Sequence, residues 1–266
     1  MRCRRQRVGR YRTGPRPGYL PRFEVALVLT AILLVGVAAN SLLFGVHAGA
    51  PDHIPSYVEW TSQTVAAASS GDAFRGLLLA RRCEHCHGAE GFSPVASTPN
   101  LASMDKLAIW KQLQDFKSHK RRSAVMEPIA GSLIDRDVAD VVAYYAALPV
   151  FRDPMDNRAF PETAGTPHLE IASRLITLGD GTRGIPPCEA CHGPVAYKTG
   201  APSLATQNSA YLFDQLEAFA KGTRANDINE PMRTIAALLS EDERHSLAAY
   251  YGAGLGLQPA SASGRQ

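Results

Sequence analysis

The sequence predicts an all-α protein in which two copies of one small helical domain follow a single transmembrane helix. Three observations predict this architecture. Nearly the same six residues occur twice, as CEHCHG from residue 83 and as CEACHG from residue 188. A stretch without any charged residue follows a strongly basic N-terminus. The apolar residues around both motifs recur with the period of a helix, and no run alternates in the manner of a strand.

The N-terminal region predicts a membrane anchor. Residues 1–24 form a basic tag with a net charge of +7, which leaves −4 for the rest of a chain whose formal charge is +3. Residues 25–47 form the predicted transmembrane segment. Its charge-free part, Val25–Val46, would rise about 33 Å as a helix, which exceeds a hydrocarbon layer of about 30 Å. Arginines before the span keep that end in the cytoplasm, so the rest of the chain is exported. This charge distribution does not indicate a nucleic-acid partner.

A cleaved secretory signal is the alternative interpretation of the same segment. Ala48, Gly49 and Ala50 resemble a cleavage site for signal peptidase. The apolar stretch is longer than the usual signal core of about 7–15 residues, and Pro51 is an awkward residue just after a cut. We therefore favour a retained anchor in a bacterial inner membrane, with the exported part in the periplasm. The alternative leaves a soluble periplasmic protein.

The two motifs belong to a duplicated unit. The first cysteines of the motifs are 105 residues apart, the segments PNLA and PSLA are 103 apart, and the two tyrosine pairs are 106 apart. The offset changes by only two or three residues, and it changes where the sequence predicts loops. A nearly constant offset of this kind indicates a repeated domain. We predict a tether over 48–71, a first domain over 72–149, a proline-rich linker over 150–167, a second domain over 168–257 and a C-terminal tail over 258–266.

Helices are predicted throughout both copies. An apolar stripe of helical spacing comprises Val138, Val141, Val142, Tyr145 and Leu148. In the second copy, Ser240 and Glu243 have the spacing of a capping box. Ile134 replaces that serine in the first copy, so we expect the matching helix to begin at Asp135. Shorter helices are predicted within AFRGLLLARRC and DKLAIWKQLQDFKS.

Cys-x-x-Cys-His is the attachment signature of c-type haem. The cysteines would form thioethers to the porphyrin, and the histidine would present its imidazole to the iron. The predicted attachment residues are Cys83, Cys86, Cys188 and Cys191, and the predicted iron ligands are His87 and His192. Two covalent haem groups would also supply apolar core that about 80 residues cannot build alone. A four-thiolate zinc site is the rival interpretation, but it leaves both adjacent histidines unexplained.

Met126 and Met232 are the predicted sixth ligands of the two irons. They follow the histidine of their own motif by 39 and 40 residues. Met104 has Gln207 as its counterpart, and Met155 falls in the linker. A thioether ligand raises the reduction potential of haem iron. Because a closed coordination sphere also denies oxygen and peroxide access to the iron, we expect an electron carrier and no enzymatic activity.

With these residues in view, the chain from about 72 to 255 resembles the di-haem cytochrome c4 family. The resemblance rests on the two CHG motifs, PNLA and PSLA, QLQDF and QLEAF, the paired methionines, the AYY segments and GIPPCEACHGP. It implies two tandem class I cytochrome c domains related by a pseudo-twofold axis. It further implies that the carbonyls of Pro99 and Pro202 accept a hydrogen bond from the ligand histidines. Arg121 and Arg224 match positions that pair with haem propionates.

The chain departs from the family in its long N-terminal anchor and in the loop GAEGFSPVAST, which is longer and less typical. The expected function is electron transfer from a quinol-oxidising complex to a terminal oxidase. A dedicated cytochrome subunit of a periplasmic dehydrogenase or flavoprotein is the alternative. A di-haem peroxidase is a third hypothesis, which the matched methionines disfavour. The run KSHKRR, residues 117–122, is either a docking patch for an acidic partner or a solvated loop.

Overall fold

The structure is a computed structural model, and it describes residues 55–149, 166–193, 198–205 and 207–254. These residues belong to one compact unit that is mostly helical. Within them, β pairing is confined to an isolated bridge between Asp180 and Ile185, which confirms the all-α prediction. None of the helices in these ranges is long and apolar enough to cross a bilayer. The predicted span, Val25–Val46, lies outside the described residues, as do 150–165 of the linker and the C-terminal tail.

The first half of the described chain, residues 55–149, contains six helices. They are α1 (Ser62–Ser69), α2 (Ala73–Ala80), α3 (Glu84–His87), α4 (Lys106–Lys117), α5 (Met126–Gly131) and α6 (Asp135–Ala147). Both short helices predicted from the sequence are therefore present, as α2 and α4. The buried core of this half lies between α4 and α6, with α1 and α2 packed on α6.

The crossing of α2 and α6 is the tightest contact of the first half. The Asp72 carboxylate caps α2 by accepting a hydrogen bond from the backbone N–H of Arg75 at 2.8 Å. Gly76 lets the two backbones approach, since a Cβ there would lie 2.0 Å from the carbonyl oxygen of Asp140. The Asp140 carboxylate accepts two hydrogen bonds from the Arg75 guanidinium, both at 2.8 Å. A glycine and a bidentate ion pair thus fix the crossing.

Helix α6 begins at Asp135, as the sequence predicts. Ile134 has no polar side chain to cap the helix, but its backbone N–H donates to the Asp137 carboxylate at 3.3 Å. One half of a capping box therefore remains where the serine is missing. The predicted apolar stripe is the buried face of the helix, with Val138, Val142 and Tyr145 fully enclosed.

The second half, residues 166–254, contains five helices in its described parts. They are α7 (Thr166–Thr177), α8 (Glu189–His192), α9 (Ser209–Ala220), α10 (Pro231–Leu238) and α11 (Glu241–Gly252). The predicted capping box is present at the start of α11, where Ser240 and Glu243 bond reciprocally. The core of this half includes Leu175, Ile185, Leu212, Leu247 and Tyr251.

The predicted tether contributes a helix to the first half. The Thr61 hydroxyl caps α1 by accepting from the backbone N–H of Thr64 at 3.1 Å. An alanine-rich run follows this cap, and alanine has the highest helix propensity. Ala68 is fully buried because α1 packs on α4 and α6. Residues 62–69 are thus part of the folded unit, which the sequence analysis did not predict.

Candidate haem sites

Each Cys-x-x-Cys-His motif forms one helical turn. Cys83 and Cys188 cap the short helices α3 and α8. The backbone N–H of the motif histidine donates to the carbonyl of that first cysteine at 2.9 Å in both halves. None of the four motif cysteines forms a disulfide. One turn therefore presents two thiols and an imidazole together, which is the arrangement that double thioether attachment requires.

The motif histidines are oriented by proline carbonyls. His87 Nδ1 lies 2.8 Å from the Pro99 oxygen, and His192 Nδ1 lies 2.8 Å from the Pro202 oxygen. A carbonyl can only accept, so Nδ1 carries the hydrogen and Nε2 keeps its lone pair for a metal. Burial lowers the pKa of both imidazoles, which favours the neutral form that binds iron. Both hydrogen bonds implied by the family resemblance are present.

The thiols that open the motifs are protected from ionisation. Burial raises the pKa of the Cys83 thiol and raises that of Cys188 to about 11. Such thiols are poor nucleophiles, because the thiolate is the reactive form. Within the described residues, the buried hydroxyls of Tyr145 and Tyr251 make no hydrogen bond of normal geometry. Each site thus combines a buried first thiol with a buried tyrosine whose hydroxyl is unsatisfied, which fits a site that holds a cofactor.

The zinc alternative is not borne out by the structure. No group of three or more His, Cys, Asp or Glu residues in the described ranges could hold a metal ion. The two cysteine pairs instead belong to separate cores, with Cys83 packed on the core of the first half and Cys188 on that of the second. A four-thiolate site would need the two pairs side by side.

The matched methionines occupy corresponding places in the two halves. Met126 is the first residue of α5, and Met232 follows Pro231 at the start of α10. Both side chains are half-buried. Met104 is also half-buried and packs on the core of the first half, as Met126 does. The assignment of Met126 and Met232 as iron ligands stays a prediction.

The two predicted propionate partners meet at the junction of the halves. Arg121 donates to Gln112 of its own half at 2.8 Å and to Gln215 of the other half at 2.9 Å. Arg224 repeats this reciprocally, with Gln215 at 2.8 Å and Gln112 at 3.0 Å. The guanidiniums lie over Phe116 and Phe219, respectively. The sequence singled out both arginines but not the two glutamines that link them.

Positive charge is in excess at this junction. Burial, and then the charge of Arg121, lower the pKa of Arg224 to about 9. Arg121 and Arg224 are half-buried, and Lys111 adds a third cation, which is buried and paired with Asp115. Asp227 is also near but is paired with Arg233 at 2.7 Å. Buried cations without anionic partners are costly. The residues present therefore fit a cofactor that brings carboxylates to the junction, as haem propionates would.

The basic run 117–122 does not form a free cationic patch. Each of its charged or imidazole side chains has a partner within the protein. The partners are Asp135 for Lys117, Glu127 for His119 and Arg122, the Tyr57 ring for Lys120, and the junction glutamines for Arg121. The docking interpretation of this run stays a prediction, because the His119 and Arg122 side chains are 63% and 73% exposed.

The atypical loop after the first motif contacts the second half. The Asn208 side chain donates to the carbonyl of Thr98 at 2.7 Å, and the backbone N–H of Tyr211 donates to that of Ala96 at 3.2 Å. The Gln207 amide exchanges two hydrogen bonds with the backbone of Asn100, at 2.7 and 2.9 Å. The loop is unusual in its sequence, but a contact between residues more than 100 apart leaves no local signal.

Comparison with known proteins points to one family. No protein-family model matches the chain. It is 36% identical over 225 residues to the thiosulfate dehydrogenase electron acceptor of Stutzerimonas stutzeri (strain A1501), covering 82% of this chain and 92% of that protein. It is 34% identical over 192 residues to cytochrome c4 of Pseudomonas aeruginosa, covering 70% and 90%.

Solved structures give the same result. The crystal structure of reduced recombinant cytochrome c4 from Pseudomonas stutzeri matches with a TM-score of 0.59 and 30% identity, covering 68% of this chain and 98% of that chain. The as-isolated thiosulfate dehydrogenase of Marichromatium purpuratum matches with a TM-score of 0.56 and 32% identity, covering 67% of this chain and 39% of that chain.

Proposed function

Because the chain belongs to the cytochrome c4 family, which carries two covalently bound haem c groups, we propose that it is an electron carrier, with one electron per haem, and not an enzyme. The observation that carries this proposal is the duplication of the whole ligand turn, with its proline-held histidine, in both halves. When bound, each haem supplies an iron that cycles between the ferrous and ferric states. The chain holds each imidazole neutral and fixed, so that little rearrangement accompanies a change of charge.

The methionine pair supports a carrier over a peroxidase. Met126 and Met232 open corresponding helices, one in each half. If both thioethers bind, neither iron has an open position for oxygen or peroxide, and both potentials are raised.

We further propose that a periplasmic dehydrogenase is the electron donor. The match to the thiosulfate dehydrogenase electron acceptor spans 82% of this chain, whereas the match to cytochrome c4 of Pseudomonas aeruginosa spans 70%. A solved thiosulfate dehydrogenase also contains a region of the same fold. These relationships favour a dehydrogenase of small sulfur compounds over other donor classes.

Reduction assays test the carrier and its donor together. The full-chain holoprotein is mixed with a thiosulfate-oxidising dehydrogenase, with and without thiosulfate, and haem reduction is followed by absorbance. We expect two electrons taken up per chain, only when enzyme and substrate are both present. Stoichiometric binding of carbon monoxide to the reduced native protein, or turnover of peroxide, would contradict the carrier function. If a quinol-oxidising complex reduces the holoprotein and the dehydrogenase with thiosulfate does not, the proposed donor is wrong.

A second candidate is a membrane-bound respiratory carrier between a quinol-oxidising complex and a terminal oxidase. The observation in its favour is the charge-free segment Val25–Val46 behind a tag of net charge +7. This candidate is a single-pass protein of the inner membrane, with both haem-binding halves in the periplasm. Retention on membranes through a high-salt wash, with an intact N-terminus, is expected. A soluble mature form that begins at Pro51 would contradict the anchor.

A further inference from the structure

Residues 55–60, here called the strap, run across the junction between the two halves. The Ser56 hydroxyl is buried and donates to Asp115 Oδ1 in the first half at 2.5 Å. Trp60 lies against Gly200 of the second half, where a Cβ would meet the indole at 2.2 Å. Gly200 has a φ of +76°, which also favours glycine. The strap therefore contacts both halves within six residues.

The Asp115 carboxylate is the point where three parts of the chain meet. It is fully buried. Besides Ser56 it accepts from Lys111 Nζ on its own helix and from Asn226 Nδ2 of the second half at 2.7 Å. Lys111 Nζ also donates to the Asn226 carbonyl. Because a buried carboxylate needs all its donors, the strap, helix α4 and the second half are held together through one side chain.

This arrangement breaks the reciprocity of the junction. The arginine and glutamine contacts recur in both halves with an offset of 103 residues, but the counterparts of Lys111 and Asp115 at that offset are Asp214 and Ala218. Asp214 is exposed, and Ala218 has no polar group. The repeated fold does not itself require the buried pair. Because Asp115 of this pair also accepts a hydrogen bond from Ser56 of the strap, the pair points to a role in joining the halves.

We propose that the strap locks the two halves together through Asp115, which makes Asp115 a positioning residue for electron exchange between the two haems. This inference rests on the proposed carrier function. The rate of electron transfer falls steeply with the separation of the two groups, so a junction that opens would slow exchange. Because the strap is not part of the repeated unit, it fixes the arrangement of the two halves without any change to the Cys-x-x-Cys-His turns.

Hydrogen–deuterium exchange on the full-chain holoprotein tests the lock. Ser56→Ala removes one bond to Asp115, Ser56→Thr restores a hydroxyl, and Ser69→Ala, at an exposed position of α1, is the matched control. We expect Ser56→Ala to speed exchange about fivefold both in the strap and in residues 222–230 around Asn226, since one lost hydrogen bond shifts local opening by that factor. Ser56→Thr and Ser69→Ala should exchange at wild-type rates. Faster exchange in the strap alone would overturn the lock.

Electron exchange between the haems provides the functional readout. One haem is reduced rapidly in the half-oxidised protein, and redistribution to the other is followed by absorbance. Asp115→Asn and Trp60→Ala should each slow redistribution several-fold while haem content stays at two per chain. Unchanged redistribution in both variants would overturn the positioning role. A haem content other than two in the wild type would instead contradict the proposed function, so the two failures are distinguishable.

Discussion

The imidazoles of His87 and His192 are fixed by carbonyls 12 and 10 residues downstream. The local motif supplies the ligand and the attachment thiols, while the orientation and the neutral state come from the next loop and from burial. The same division holds for the sixth position, where each candidate lies about 40 residues further along. Each candidate iron site is therefore assembled from three separated points within one half.

Replacing either matched methionine with histidine should lower one potential only. Imidazole donates to ferric iron better than a thioether does, so Met126→His or Met232→His removes part of the preference for the ferrous state. We expect a fall of about 120 mV, equivalent to about 3 kcal/mol for a one-electron couple. Potentiometric titration of both haems measures it.

Met104 is the control for that assignment, since it packs on the same core as Met126. Met104→Ala should leave both potentials and the Met-to-iron charge-transfer absorption in place. If Met104→Ala removes that absorption and Met126→Ala does not, the ligand of the first half has been misassigned.

The repeat identified residues that meet in the structure, while the propionate role predicted for Arg121 and Arg224 stays a prediction. Arg121 and Arg224 stand out because both copies keep them, and the structure brings them together. Gln112 and Gln215 are repeated as well, yet a glutamine on a helix has no chemical signature of its own. Their role comes only from facing an arginine of the other half.

Among the elements, α2 and α6 form the contact with the most specific chemistry. Asp140 has a side chain only 3% exposed and is paired with Arg75. The hydrogen bonds from that guanidinium are the main reason why the pKa of Asp140 lies below its usual value. The contribution of the pair to stability is therefore present above the ordinary carboxyl pKa and is lost as the pH falls through the depressed one.

Asp140→Asn should destabilise the protein by about 2 kcal/mol at neutral pH, the scale of a charge-assisted hydrogen bond. The difference from wild type should shrink as the pH falls through the depressed pKa of Asp140, because the native carboxylate is then itself protonated. Denaturant unfolding across a pH series measures both. Asp214→Asn, at an exposed position of α9, is the matched control. A cost that does not vary with pH would show that packing, and not charge, sets the contribution.

Gly76→Ala tests the close approach of the same two helices. The added methyl would meet the Asp140 carbonyl, which is backbone and cannot move away without shifting α6. We expect a loss of at least about 2 kcal/mol in the free energy of unfolding. Gly131→Ala is the control, because a Cβ at that residue of α5 has nothing within 4 Å. It should be neutral or slightly stabilising. Equal effects of the two changes would contradict a tight crossing.

Helices were predictable wherever periodicity and caps agreed. The stripe of α6 and the capping box of α11 are local signals, and both are present. Helix α1 was missed because an alanine-rich run of eight residues reads equally as a polar spacer. Its stability depends on burying Ala68 against distant helices, and a tertiary contact of this kind leaves no pattern in the local sequence.

At the scale of the whole molecule, the junction between the halves is where positively charged side chains come together. It joins Asn100 to Gln207 and Gln112 to Arg224, pairs that are more than 100 residues apart. The duplication predicted that two similar units exist, but it contains no information on which faces meet. The excess of buried positive charge therefore became visible only in the folded chain.

Arg121→Gln or Arg224→Gln should lower both potentials, because each guanidinium bonds across the junction and its charge disfavours the ferric state of either haem. A change of one unit charge at the effective dielectric of a protein interior corresponds to on the order of 50 mV. Arg174→Gln, at a position of α7 whose side chain is 57% exposed, should shift neither potential. If only one potential shifts, the replaced arginine acts on the haem of a single half. If neither potential shifts, the arginines only link the two halves. A simultaneous fall is the result that separates a shared electrostatic junction from the single-haem effect of the methionine variants.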